Sequence, residues 1–431
     1  MKTIDAVLQH IYARVRDKIN PSLVQIRALL HELGNPQLDY PTCHVIGTNG
    51  KGTAARILSA LLEREGQRTG LYTSPHLVSA RERIVCDSKP ITVEEFLAVW
   101  EQLRPAAERW DATFFEVFTA MAFSYFKQRQ VDAAVIEAGL GGTWDATSVI
   151  QPQVLLLTAV QLDHTDRLGK TVETIARDKA GAMKSGVPFV CGERDPQLQQ
   201  VLREEALHHQ TPFYLPEDIV TATGIRLAPQ HTTLTAHFTE SDTTLPVVLP
   251  YCGRYQVDNF LAAAAAFTMV KGRPPQGDEL DLTPWPWPGR FDLVSQDPLV
   301  LVDSAHNPDA ARALFAAIRE LYPARELVVL YGTLDDKDWR GCLEVIAADT
   351  QQLFPLAIEY HRGLPVKIFA AGVEQLFPAA PSPAPFREVW PQVCENYQPD
   401  QLIVACGSFH VAEAVYRQLD LDPFSRRSLE D

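Results

Sequence analysis

The chain reads as a two-domain α/β protein: an N-terminal doubly wound, mostly parallel sheet with a phosphate-loop-like turn, then a smaller C-terminal α/β domain. Three observations predict it. Short apolar runs alternate with helix-period stretches up to about residue 290, the pattern of parallel strands joined by crossover helices. A glycine-rich turn, Gly47-Thr48-Asn49-Gly50-Lys51-Gly52-Thr53, connects one such run to one such helix. The stretch Pro284-Trp285-Pro286-Trp287-Pro288-Gly289 interrupts both kinds of backbone ladder and precedes a second, shorter α/β set. The domains are therefore drawn at 1–290 and 291–431.

The elements follow in order. Met1–Ile19 mixes Asp5, His10, Arg14 and Asp17 with apolar residues and reads as an amphipathic helix, not a signal peptide. Strands are expected at His44–Ile46, Arg68–Tyr72, Ala133–Glu137, Val154–Ala159 and Val187–Cys191. Helices are expected at Leu23–Leu33, Val93–Glu108, Phe115–Gln128, Thr171–Met183 and Pro196–His208. Alternating Thr-rich runs, Thr232–Thr239 and Leu245–Leu249, suggest an antiparallel insert, and Asn259–Lys271 is an alanine-rich helix. In the second set, Leu299–Val302, Leu327–Tyr331 and Leu402–Cys406 read as strands. Pro308–Leu321, Trp339–Ala348 and Phe409–Leu419 read as helices, and the Pro/Ala stretch Phe377–Phe386 as an exposed loop.

Composition narrows the function. With 431 residues, 46% hydrophobic and 22% charged, the chain can bury a large core. A net charge of −15 argues against a nucleic-acid groove or an anionic membrane surface. No stretch approaches the roughly 18 apolar residues of a membrane span. The seven cysteines lie outside any metal-knuckle spacing and are odd in number, which reads as scattered reduced thiols in a cytoplasmic protein.

Strand, glycine-rich turn and helix is the context in which backbone N–H groups and a helix N-terminus cradle phosphate. Lys51 would meet the β/γ-phosphates and the Thr53 hydroxyl a Mg²⁺ ion, although Gly52 separates the two and departs from the usual G-x-x-x-x-G-K-[ST] spacing. Two further strand ends carry polar groups. Glu137 closes an apolar run and meets Gly139-Leu140-Gly141-Gly142, where it is placed to hold the nucleotide's metal. The run ending at Ala159 leads to Gln161-Leu162-Asp163-His164, and His164 could be a metal ligand through neutral imidazole or a general base. Asp178-Lys179 is either part of this site or an ion pair on a solvated helix face. Ser74-Pro75-His76-Leu77 and Asp303-Ser304-Ala305-His306-Asn307-Pro308 are other strand-end candidates, and Arg290 at the hinge suits a phosphate or a base. Physics alone gives an ATP-using enzyme of two domains without naming what it joins.

These motifs, in this order, resemble the folylpolyglutamate synthase/dihydrofolate synthase family of Mur-ligase-like ATP-dependent amide ligases. The resemblance runs over nearly the whole chain and also rests on Phe114-Phe115-Glu116 and Gly407-Ser408-Phe409-His410. It implies that ATP converts a carboxylate to an acyl phosphate, which the amine of L-glutamate attacks. The acid would be dihydropteroate, a reduced folate, or both; a different acid on the same fold, or an inactive relative, are the alternatives. By resemblance Lys51, Lys179 and His306 are catalytic. Asn49, Gly50, Lys51, Gly52, Thr53, Asn259, Arg290 and Asp303 bind the nucleotide. Ser74, Glu137 and His164 hold metal, with two Mg²⁺ sites expected and K⁺ admitted. Lys179 matches a lysine that the family carries as a carbamate. Phe115, Trp144 and Asp145 would face the acid. The family commonly has Gly-Gly-Arg-Leu-Asp-Ala-Thr-Asn; here Thr143-Trp144 follows Gly142, which removes a cation and adds a flat surface for a pterin. The family further suggests a monomer.

Overall fold

The computed structural model describes residues 3–15, 21–285, 287–350 and 352–423. Of the expected N-terminal helix, Ile4–Val15 is helical, and Met1, Lys2 and 16–19 lie outside the described residues, as does Pro286 of the proline-tryptophan stretch. The chain divides into two compact units. Of the described residues, the first holds those within 3–224, 234–247 and 257–285, and the second those within 225–233, 248–256 and 287–423.

The first unit is built on an eight-stranded sheet. Its strands are β1 (Thr42–Ile46), β2 (Thr69–Tyr72), β3 (Ile84–Cys86), β4 (Lys89–Pro90), β5 (Ala133–Glu137), β6 (Val154–Leu157), β7 (Phe189–Cys191) and β8 (Phe213–Tyr214). Their order is β4-β3-β2-β5-β1-β6-β7-β8. All pairs from β2 to β8 are parallel, and β3 and β4 add an antiparallel edge. Residues of β1, β2, β5, β6 and β7 are buried throughout, as expected for strands covered on both faces by helices. The chain leaves β1 toward one edge and, after β5, runs to the other. The loops after β1, β5 and β6 therefore emerge side by side where the strand order reverses, the place at which open α/β sheets bind ligands.

A four-stranded sheet of order β12-β11-β10-β9 follows, from β9 (Val220–Ala228), β10 (His231–Phe238), β11 (Thr243–Leu249) and β12 (Leu280–Asp281). The connections β9–β10 and β10–β11 are hairpin-short, which only antiparallel neighbours allow. The alanine-rich helix starts earlier than the sequence suggests, at Arg254.

The second unit carries a five-stranded sheet of order β13-β14-β17-β15-β16. Its strands are β13 (Asp292–Gln296), β14 (Leu299–Val302), β15 (Glu326–Tyr331), β16 (Gln352–Pro355) and β17 (Gln401–Cys406). Four are parallel and β13 pairs antiparallel with β14. Helix Pro308–Leu321 has the expected bounds; Asn307 caps it and Pro308 opens it. All seven cysteines are free, and six are buried. No helix among the described residues is long and apolar enough to cross a membrane.

Candidate active site at the carboxyl ends of the central strands

The phosphate-loop-like turn is held by the loop after β6. Thr48 N–H donates to the Ala159 carbonyl (2.7 Å), and Gln161 N–H donates to the Thr48 hydroxyl (3.1 Å). The Asn49 side-chain amide donates to Gln161 Oε1, and the Thr158 hydroxyl donates to the Asn49 carbonyl (2.6 Å). Gly47 and Gly50 take positive φ, +146° and +84°. A Cβ on Gly47 would collide with Thr158 Oγ1, and one on Gly50 with Asn259 Oδ1. Only glycine lets the backbone run this close. Helix Lys51–Arg64 starts there, with the amides of its first turn lacking intrahelical acceptors. The Lys51 ammonium donates to the Thr48 carbonyl (3.0 Å), and the Thr53 side chain is buried within the first turn.

Lys179 meets the same turn from beneath. It sits in the last turn of helix Val172–Ala180, 2% exposed, and its Nζ donates to the Gly47 carbonyl at 2.7 Å. Burial, reinforced by the Lys51 charge, pulls this amine down to about 7. The solvated ion-pair reading of Asp178-Lys179 is thereby corrected: Lys179 points inward because its helix face packs on the sheet. Asp178 turns instead to the loop after β5. Its Oδ2 accepts from Gly142 N–H (3.0 Å), and its backbone carbonyl accepts both the Thr143 N–H (3.0 Å) and the Thr143 hydroxyl (2.9 Å).

Glu137 lies opposite Val45 in the register of β1 and β5, and Oε2 accepts the Ser74 N–H at 2.9 Å. This places two of the expected metal ligands together, one strand from the phosphate turn. His164 caps the short helix Thr165–Leu168 in a left-handed conformation, half-buried, with Nε2 3.9 Å from Asp163 Oδ2. Among the described residues no three of His, Cys, Asp and Glu gather as a metal cluster; Ser74, Glu137 and His164 include only two of that kind.

The candidate acid-facing residues separate. Phe115 is half-buried, its ring packed on Gly139 and 6.0 Å from that of Tyr72. Trp144 is 54% exposed at the loop tip. Asp145 is buried, and its carboxylate accepts from Leu140 N–H (2.8 Å), Thr147 N–H (2.9 Å) and the Thr147 hydroxyl (2.5 Å). It shapes the glycine loop, and burial raises its pKa. The Thr147 oxygen also lies 2.7 Å from His44 Nε2 in β1, whose imidazole burial drives down to about 3.

In the second unit, Asp303 follows β14 and accepts from Phe291 N–H and Ala305 N–H, both at 2.7 Å. Burial raises its pKa against the pull of Arg290. The Arg290 guanidinium lies 4.7 Å from the Phe409 ring centroid, and His306 Nδ1 is 2.9 Å from the Ser304 carbonyl, its hydrogen-bond acceptor.

Thr158 and His44 carry no sequence signal of their own, and Glu193 carries one that the sequence reading did not use. Glu193 accepts from Val160 N–H (2.6 Å) and so fixes the loop after β6. A Gly192-Glu193 pair after an apolar run was the available cue.

Residues 45–267 match the Mur ligase middle domain and residues 289–409 the Mur ligase glutamate ligase domain, which sets the class. The folylpolyglutamate synthase of Lacticaseibacillus casei is 34% identical over 92% of this chain and 94% of that protein. The dihydrofolate synthase/folylpolyglutamate synthase of Bacillus subtilis is 31% identical over 78% of this chain and 80% of that protein. Folylpolyglutamate synthase of Mycobacterium tuberculosis complexed with ADP superposes with a TM-score of 0.87 at 30% identity, covering 97% of this chain and 98% of that one. Escherichia coli FolC in complex with DHPP and ADP gives 0.86 at 27% identity, covering 97% of this chain and 98% of that one. The chain belongs to the folylpolyglutamate synthase/dihydrofolate synthase family, ATP-dependent ligases of the Mur class.

Proposed function

We propose that this ligase joins L-glutamate to dihydropteroate, to a reduced folate, or to both, through an acyl phosphate, with release of ADP and phosphate. The observation that carries the reading is the Lys179 amine against the Gly47 carbonyl, under a glycine turn that leads into the N-terminus of helix Lys51–Arg64. Relatives support the ligands: structures are described with ADP, with Mn, AMPPNP and L-glutamate, and with DHPP.

The residues present fit a nucleotide and a hard cation. Asn49, Gly50, Lys51, Gly52 and Thr53 bind and orient the β/γ-phosphates, and Asn259, Arg290 and Asp303 serve the nucleotide. Ser74, Glu137 and His164 would hold Mg²⁺, which when bound neutralises charge on the transferring phosphoryl oxygens. A carboxylate oxygen of the acid attacks the γ-phosphorus and ADP leaves. The glutamate amine then attacks the acyl carbon, phosphate leaves, and the amine proton is lost to solvent. Lys51 and His306 steady charge on the phosphoryl group. Lys179 with a pKa near 7 is half neutral at neutral pH, unlike an ordinary lysine. A neutral amine can add to CO₂ and release a proton, so Lys179 carried as a carbamate becomes an anion beside the metal set instead of a repelled cation. Residues 1–290 are assigned to ATP and 291–431 to ligation. Trp144 offers its face to a pterin. The seven free thiols support a cytoplasmic location, and we assign a monomer.

Phosphate release with dihydropteroate or folate plus glutamate, and mass spectrometry of the product, test this. A mass increase of one glutamate per phosphate released is expected. Turnover with an unrelated acid alone would move the enzyme to another substrate; nucleotide binding without turnover on any acid would make it an inactive relative.

A further inference from the structure

Arg83 is 7% exposed, yet it is spent on almost nothing. Among the described residues its guanidinium makes one hydrogen bond, from Nε to His76 Nδ1 (2.9 Å), and no carboxylate pairs with it. It lies 5.3 Å from the ring centroids of both Phe114 and Phe118. That contact offsets part of the burial cost but gives the two Nη groups no acceptor. The two acidic neighbours face elsewhere. Glu82 accepts from the N–H groups of Leu77 (2.6 Å), Val78 (2.7 Å) and Ser79 (2.6 Å), and Glu137 accepts from Ser74. A buried cation without an anion is expensive, and such a group commonly waits for one.

Its place says which anion. The Arg83 carbonyl accepts the Thr73 N–H (3.0 Å), so Arg83 sits beside Ser74, the neighbour of Glu137. Its guanidinium faces the rings of Phe114 and Phe118, Tyr12 stacks on Phe114 (4.8 Å between centroids), and Phe115, next in the chain, packs against Tyr72 (6.0 Å). Phe114 and Phe115 are half-buried. The loop from Gly139 to Ser148 contains no Lys, Arg or His to share the task. An aromatic wall with one unpaired guanidinium, next to the reacting end of the sheet, is complementary to a flat aromatic acid. We propose that Arg83 anchors the carboxylate of the aromatic acid substrate through its free Nη fork. This deepens the ligase reading and rests on it.

The test compares pteroate with its carboxamide as competing inhibitors, at saturating MgATP and glutamate, for the wild-type enzyme and for Arg83→Gln and Arg83→Lys. Charge-assisted hydrogen bonds of this kind correspond to roughly a 10- to 100-fold preference for acid over amide. Arg83→Gln should erase that preference with the KM for ATP unchanged, and Arg83→Lys should keep part of it. A preference retained in Arg83→Gln overturns the inference. Should the variants fail to fold, ¹⁵N-arginine resonances of the wild-type protein decide: pteroate should shift the Arg83 side-chain signal and the carboxamide should not, and equal or absent shifts overturn it. Wild-type enzyme that turns over no pteroate or folate condemns the ligase reading itself, without reference to any variant.

Discussion

Two glycine-rich loops leave neighbouring parallel strands, and their glycines do opposite jobs. In Gly47–Gly50 the missing Cβ atoms let the backbone curl over Thr158 and Asn259, and the next helix starts at Lys51. In Gly139–Gly142 the amides face inward. Leu140 and Gly142 donate to Asp145 and Asp178, and a Cβ on Gly142 would overlap the Lys179 backbone. The first loop packs on Thr158 and Asn259 and leads into a helix N-terminus; the second packs on the last turn of helix Val172–Ala180. Sequence composition does not distinguish these roles; the destination of each N–H does.

Five substitutions and one titration can break that contrast. Lys179→Ala removes the group both loops converge on, and kcat should fall about 10²- to 10³-fold, with partial rescue by a small added carboxylic acid. Wild-type rates would remove the carbamate. Gly142→Ala must displace the Lys179 backbone, so kcat should fall by up to about 10²-fold while the KM for ATP holds. Gly50→Ala, at φ +84°, should instead raise the KM for ATP about tenfold and leave kcat nearer normal. If both glycine variants show the same kinetic signature, the contrast is wrong. The buried His44 beneath the second loop titrates near 3 when folded and near 6.5 when unfolded. The unfolded chain binds the extra proton between those values, so stability is full above pH 6.5 and is lost as the pH falls toward 3. At pH 5 the loss is about 2 kcal/mol, and His44→Gln should flatten the denaturant-midpoint profile over that range. The smallest effect belongs to Thr143→Val, about 1 kcal/mol of stability from the lost bond to the Asp178 carbonyl, with ligation within a few-fold of normal.

The parallel core was legible because its strands are continuous apolar runs that end in polar or glycine residues. Ala133–Glu137 and Pro308–Leu321 have the bounds the sequence suggests. Strand Val220–Ala228 was missed because its residues are mostly half-exposed and mixed in character. Helices Val366–Leu376 and Phe386–Asn396 were missed because each follows a proline and has no side-chain cap, so the usual start signal is absent. Lys51, Glu137 and Lys179 stood out because each belongs to a local motif. Arg83 did not, since the rings it faces come some thirty residues later. For Asp145 the sequence suggests a substrate contact and does not show that its oxygens also accept from its own loop.

The distribution of thiols has a practical side. Six of the seven cysteines are sealed in the interior, and Cys394, on helix Phe386–Asn396, alone has partial access to solvent. A maleimide dye should therefore react first at one position in the native protein, giving a fluorescent reporter on the glutamate-ligase unit without any engineered residue.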